Sequence, residues 1–183
     1  MIDARLEPPV GEKDRVRGPD GAPVTLAEYG DYDCPYTVRA FFAVRGLLRK
    51  MGDDVRFSFR IFPLAEIHEH AQLSAEAAEA AAAQGKFWEM HDRLFEARRD
   101  LAPEHILSYA GEIGLEVERF EKELEDHAHA SAVREQLRSG LASGVRGTPT
   151  FFVNGRMHAG SFRMEDLETA IREALDEPSS RRD

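Results

Sequence analysis

Two spacings of apolar residues divide the chain into segments. Over Val24-Thr25-Leu26-Ala27-Glu28-Tyr29-Gly30, apolar side chains alternate with others, the period of a strand. The run Val55-Arg56-Phe57-Ser58-Phe59-Arg60-Ile61-Phe62 alternates more cleanly, with Arg56, Ser58 and Arg60 opposite an apolar face. Between these strands, Val38, Phe41, Phe42, Leu48 and Met51 fall at spacings of three and four, which predicts a helix closed by Gly52 as its C′ glycine. Strand, helix and strand make a βαβ unit, normally parallel and right-handed. A central parallel strand is apolar on both faces. Arg56 and Arg60 break that rule, so they must reach an edge or a polar site.

From Glu69 to Gly140 the period is helical throughout. Leu73, Ala77, Ala80 and Ala81 form a face of mostly small residues, and Phe87, Met90, His91, Leu94 and Phe95 form a stronger one. Pro103 opens a helix carrying Ile106, Leu107 and Ala110. Val117, Phe120 and Leu124 mark a short one, and Val133, Leu137 and Leu141 another. The period then returns to two over Thr148-Pro149-Thr150-Phe151-Phe152-Val153. The turn Asn154-Gly155 and the run Arg156–Gly160 follow, a strong hairpin signal. Leu167, Ile171 and Leu175 give a last amphipathic helix. Residues 1–23, punctuated by Pro8-Pro9, Gly18-Pro19 and Pro23, read as an extended arm with room for one short strand.

Composition narrows the class. The 183 residues are 42% hydrophobic with 11 Phe, enough for one globular core. A formal charge of −10 argues against nucleic acid, and basic residues cluster only at Arg181-Arg182. No apolar run approaches the ~20 residues that span a bilayer, and the amino terminus has no apolar leader core, so the expected location is cytoplasmic without a membrane partner. The single cysteine rules out an internal disulfide and suits a reducing compartment.

That cysteine is Cys34, in Asp33-Cys34-Pro35-Tyr36-Thr37 between the first strand and the helix. A helix start offers unpaired N–H groups and the positive end of the dipole, both of which favour thiolate, the nucleophilic form. Pro35 suits the first helical position. Three residues on stands Thr37, so a second thiol is missing and any mixed disulfide needs an outside thiol to resolve it. Asp31 and Asp33 oppose the thiolate by like charge and read as solvated loop carboxylates. His68 and His70 read as surface or helix-start histidines rather than metal ligands, and no metal site is expected. His91 reads as a packed core histidine. Phe87, Trp88 and Met90 read as core, and Glu116–Asp126 as a solvated helix.

The order β-α-β, helical block, β-β-α, with cysteine opening the first helix and Thr-Pro opening the third strand, resembles the DsbA-like branch of the thioredoxin superfamily. Five fragments carry the resemblance: Gly18-Pro19 with Ala22–Leu26, Gly30–Tyr36, Phe62-Pro63-Leu64, Gln84–Trp88 and Gly144–Gly155. It implies an α/β thioredoxin fold of residues 24–68 and 139–176, a helical insertion at 69–138 and a tail at 177–183. It further implies that Cys34 is the nucleophile and Glu28 a buried acid relaying its proton. Thr37 would occupy the resolving position, and its hydroxyl could donate to the Cys34 thiolate. Pro149 resembles the family's cis-proline, exposing the Thr148 backbone to an extended peptide or glutathione, while Pro35 and Tyr36 shape the groove. No covalent cofactor is implied. Glutathione is implied as co-substrate, and protein or glutathione disulfides as partners. Three functions stay open: monothiol disulfide exchange, a glutathione-dependent transferase or isomerase, and a redox-silent binding protein. The oligomeric state is open too.

Overall fold

Five strands form one sheet in a computed structural model that describes residues 4–98 and 100–177. Arg181-Arg182 and almost all of the tail lie outside the described residues. The strands are β1 (Val16–Arg17), β2 (Val24–Gly30), β3 (Val55–Ile61), β4 (Thr150–Val153) and β5 (Arg156–Met157), in the order β1-β3-β2-β4-β5. Helix α1 (Pro35–Met51) joins β2 to β3. Helices α2 (Ala71–Ala83), α3 (Phe87–Glu96), α4 (Pro103–Glu112), α5 (Val117–Glu125) and α6 (Ala130–Ala142) follow, and α7 (Met164–Asp176) comes after the hairpin. This is a thioredoxin-like α/β fold.

The contacts group into two units. One holds the residues up to Gly30, Arg39–Arg60 and those from Ser139 onward; the other holds Asp31–Val38 and Ile61–Arg138. Within the first, β2 pairs antiparallel with β4, placing Glu28 opposite Phe151 and Tyr29 opposite Thr150. The Asn154-Gly155 turn has φ of 46° and 75°, the pair of left-handed residues that a two-residue hairpin requires. Its Asn154 side chain accepts the Thr25 N–H at 2.8 Å. Leu26, Tyr29, Phe59, Phe152, Leu167 and Ile171 are all buried within this unit.

The described part of the arm turns at Gly11–Asp14 and Pro19–Ala22, and it is paired with the sheet. Val16 and Arg17 form β1 antiparallel to β3, and farther back Arg5 bridges Arg156, with Met157 N–H donating to the Ala4 carbonyl at 3.0 Å. The arm therefore supplies the edge strand beside β3 and bridges β5 at the opposite edge. Its partners also settle the problem of β3. Arg60, 4% exposed, makes a two-point contact with Asp14 at 2.7 and 3.0 Å and donates to Tyr29 Oη at 2.9 Å. Arg56 donates to Thr25 Oγ1 at 2.8 Å. The strand is buried on both faces toward its end because both arginines of its polar face are met by hydrogen bonds rather than by water.

In the second unit α2 is packed nearly all round, its alanines allowing close approach of neighbours. Two of its carboxylates, Glu76 and Glu79, are buried as well. Glu76 accepts from Gln72 at 2.7 Å, and Glu79 from Gln136 at 2.8 Å. Helix α5 buries Phe120 and half-buries Glu123 and Leu124, and its other residues are exposed.

Two expectations shift. Leu141 is 48% exposed, because the buried positions of α6 are Val133 and Gly140, followed by Ser143 just past its end, one position off the fourfold spacing that pointed to Leu141. Gly52 closes α1 without a left-handed φ. Its need is space, since a Cβ there would lie 2.5 Å from the Leu48 carbonyl oxygen.

Candidate active site

Helix α1 begins at Pro35, whose missing N–H is no loss in the first turn. Cys34 holds the capping place: its carbonyl accepts the Val38 N–H at 3.0 Å, and its own N–H donates to the Asp31 carbonyl at 3.1 Å. The residue is only 2% exposed. Thr37, fully buried one turn along, accepts the Asp31 N–H on Oγ1 at 3.4 Å. The Tyr36 side chain between them points outward and is 55% exposed.

Asp31 and Asp33 are not solvated, which corrects the reading from sequence. Asp31 is 1% and Asp33 3% exposed, and both carboxylates are committed to backbone and side-chain donors. Asp31 accepts the Asp33 N–H at 2.9 Å and the Leu64 N–H at 3.0 Å, and the His68 Nδ1 lies 2.7 Å from its Oδ2. Asp33 accepts the His70 N–H at 3.0 Å, a free donor at the start of α2. Hydrogen bonds of this kind stabilise a carboxylate that burial would otherwise penalise. The signal in the sequence was the residue type, since Asp in a turn tends to capture nearby N–H groups. Which N–H groups come near is decided by the loop after Phe62, far along the chain.

Around this turn the second unit supplies an aromatic floor. Tyr32 is fully buried, its hydroxyl 3.2 Å from His91 Nδ1 and its ring 4.8 Å from that of Phe95. His91 sits edge-on to Tyr32, Trp88 and Phe95, the packed histidine that its stripe suggested. Among the described residues no three or more His, Cys, Asp or Glu side chains gather in a way that could hold a metal ion.

The remaining predicted site residues belong to the sheet-bearing unit. Glu28 lies on β2, 2% exposed, with Oε1 buried and without a hydrogen-bond partner among the described residues. Loss of hydration holds its carboxyl well above the ordinary value of 4.5. The Thr148–Pro149 peptide bond is cis and leads directly into β4. Thus Pro35, Tyr36, Thr37 and the two aspartates are gathered about Cys34 in one unit, and Glu28, Thr148 and Pro149 are built into the other.

Comparison with known proteins agrees with this fold. Residues 11–173 match the thioredoxin family model. BdbD from Bacillus subtilis, in its oxidised crystal structure, is similar with a TM-score of 0.84 and 26% identity, over 96% of this chain and 100% of that one. A thioredoxin-like oxidoreductase from Silicibacter pomeroyi DSS-3 gives 0.80 and 28%, over 92% and 95%. The thiol-disulfide exchange protein alpha-DsbA2 from Wolbachia pipientis shares the fold, with a TM-score of 0.74 and 18% identity over 88% and 87%. In sequence, 164 residues are 47% identical to a protein named Na(+)/H(+) antiporter NhaA 1 from Salinispora arenicola, over 90% of this chain and 25% of that protein. The antiporter from Herminiimonas arsenicoxydans is 44% identical over 170 residues, covering 92% of this chain and 27% of that protein. The chain spans about a quarter of the length of these relatives, and no helix among its described residues is long and apolar enough to cross a membrane. With its single cysteine capping the first helix, the chain belongs to the thioredoxin family, among the DsbA-like thiol-disulfide oxidoreductase folds.

Proposed function

We propose that the protein exchanges thiols and disulfides through Cys34 alone. One observation carries this reading: the only cysteine caps a 17-residue helix immediately before Pro35, and the position one turn on is a buried threonine. The Cys34 thiolate attacks one sulfur of a protein or glutathione disulfide, and the other sulfur leaves as a thiolate with the bonding pair. The mixed disulfide then waits for an external thiol, because Thr37 has no sulfur with which to attack it. Glutathione, abundant in a reducing compartment, supplies that thiol and regenerates Cys34. Thr148 and the cis Pro149 offer an extended backbone partner for the substrate, and Glu28 serves as proton carrier, roles that follow from the family likeness.

The test is direct. Reduced protein incubated with oxidised glutathione is expected to gain one glutathione by mass, lose it on adding reduced glutathione, and gain nothing as Cys34→Ser. Failure of the parent to form the adduct, or of reduced glutathione to reverse it, rejects the mechanism. Tight non-covalent binding of reduced glutathione without an adduct would instead support a transferase or isomerase.

A second reading is favoured by the identity with antiporters over most of this chain: the domain works beside a Na(+)/H(+) antiporter. Sodium-driven proton movement in vesicles carrying an antiporter should then differ between the parent chain and Cys34→Ser. Equal rates with either, and without the chain, exclude it.

A further inference from the structure

The proposed reaction gives His68 no task, yet the structure ties this residue to the loop that carries the thiol. His68 Nδ1 lies 2.7 Å from Asp31 Oδ2, with the two side chains 13% and 0% exposed. Asp31 spends all its polar groups on holding that loop. Its N–H donates to Thr37 Oγ1 at 3.4 Å, and its carbonyl accepts the Cys34 N–H at 3.1 Å. Oδ1 accepts the Asp33 N–H at 2.9 Å, and Oδ2 accepts the Leu64 N–H at 3.0 Å.

The bond from Cys34 N–H to the Asp31 carbonyl closes a four-residue turn, which keeps the two Cα atoms within about 7 Å. The carboxylate is folded over that same turn, since Oδ1 takes the N–H of the residue next to Cys34. Both residues are buried, so little water screens a charge on one from the other. An unbalanced Asp31 carboxylate therefore opposes a Cys34 thiolate by like charge. Two of the three donors to it are neutral backbone amides, and the third, His68, is the one able to bring a positive charge. Neutral donors would suffice to bury the carboxylate and shape the turn. The other titratable groups bonded to this loop are Asp33, which accepts the His70 N–H at 3.0 Å, and His91 of α3, whose Nδ1 lies 3.2 Å from the Tyr32 hydroxyl.

We infer that His68 is a positioning residue that acts through Asp31: it balances the buried carboxylate, so that Cys34 can form its thiolate in a turn held together by negative charge. The inference deepens the proposed exchange, and rests on that reading only for what the thiolate attacks.

The experiment follows alkylation of Cys34 by iodoacetamide, an uncharged reagent, against pH. The thiolate sulfur bonds to the methylene carbon of the reagent, and iodide leaves with the electron pair of the broken carbon–iodine bond. The chain has one cysteine, so the mass gained reads Cys34 alone. His68→Gln keeps a donor for Asp31 and loses the charge; its profile is expected to move up by about one pH unit, about a tenfold loss of rate below the midpoint. Adding Asp31→Asn to His68→Gln removes the unbalanced carboxylate and should return the profile most of the way to the parent. His68→Lys, which restores a positive charge, should titrate with the parent or below it, and decides the matter if His68→Gln does not fold. Asp33, His70, His91 and Glu28 stay unchanged throughout. The inference is overturned if His68→Gln titrates with the parent, or if His68→Lys rises above it. It is overturned equally if the double variant stays as high as His68→Gln, since the shift would then come from a loosened turn and not from charge. A parent that is alkylated in this way but forms no adduct with oxidised glutathione rejects the exchange reading alone. One that is alkylated at no pH rejects both.

Discussion

Glu28 and Thr37 show how one residue can carry a whole property. Glu28 is enclosed on β2, and desolvation raises its carboxyl well above 4.5. The folded state therefore binds this proton more tightly than the unfolded chain does. Between 4.5 and the raised folded value, increasing pH must drive ionisation of a buried group, so stability is full below the window, falls through it and is level above. Glu28→Gln should abolish that loss. Denaturant unfolding of both proteins from pH 4 to 9 is expected to show the variant gaining on the parent as pH rises, by ~1.4 kcal/mol for each unit of displacement. A difference independent of pH would show that Glu28 ionises as freely folded as unfolded. If Glu28 also carries the thiol proton, the variant should fall further behind the parent in disulfide exchange near neutral pH than at high pH, where the thiol ionises unaided; equal slowing at every pH would show that Glu28 carries no proton. Thr37→Cys addresses the neighbouring question. Position 37 is one helical turn beyond Cys34, so oxidation of the variant should close an internal disulfide, seen as the loss of two hydrogens by mass, and glutathione adducts should become short-lived. Adducts or dimers alone would show that the two positions do not face each other.

At the scale of elements, the arm and β3 explain one another. Arg60 sits in a strand whose spacing demands an apolar partner, and it is accommodated because Asp14 and Tyr29 arrive with the right acceptors. The Arg60–Asp14 pair has side chains 5% and 13% exposed. Removing one member of such a pair strands the other, so Arg60→Met is expected to cost about 3 kcal/mol in a denaturant titration. Asp14→Asn, which keeps an acceptor, should cost clearly less. Equal, small losses would mean that water replaces the pair. The existence of an arm was readable from its prolines and glycines. Its hydrogen-bonding partners were not, because Arg5 with Arg156 and Val16 with Ser58 are pairings across long stretches of sequence that no local pattern encodes.

For the whole molecule, net charge governs behaviour in solution more than any single contact. A formal charge of −10 and an isoelectric point near 5.2 predict least solubility close to that pH, as turbidity against pH at low salt would show. A minimum near neutral pH would point instead to association through an apolar surface. The sequence by itself determined the order of strands and helices, the Asn154-Gly155 hairpin and the place of Cys34 ahead of Pro35, because periodicity, turn chemistry and helix-start preferences act over a few residues. Only the tertiary structure decided the fate of charged groups. Asp31, Asp33, Glu76 and Glu79 are buried, though their spacing gave no sign of it, and Arg60 fills a strand position that its type disfavours. The physical reason is the same for these five residues: donors or acceptors from distant segments meet each buried group, and those meetings exist only once the chain has folded.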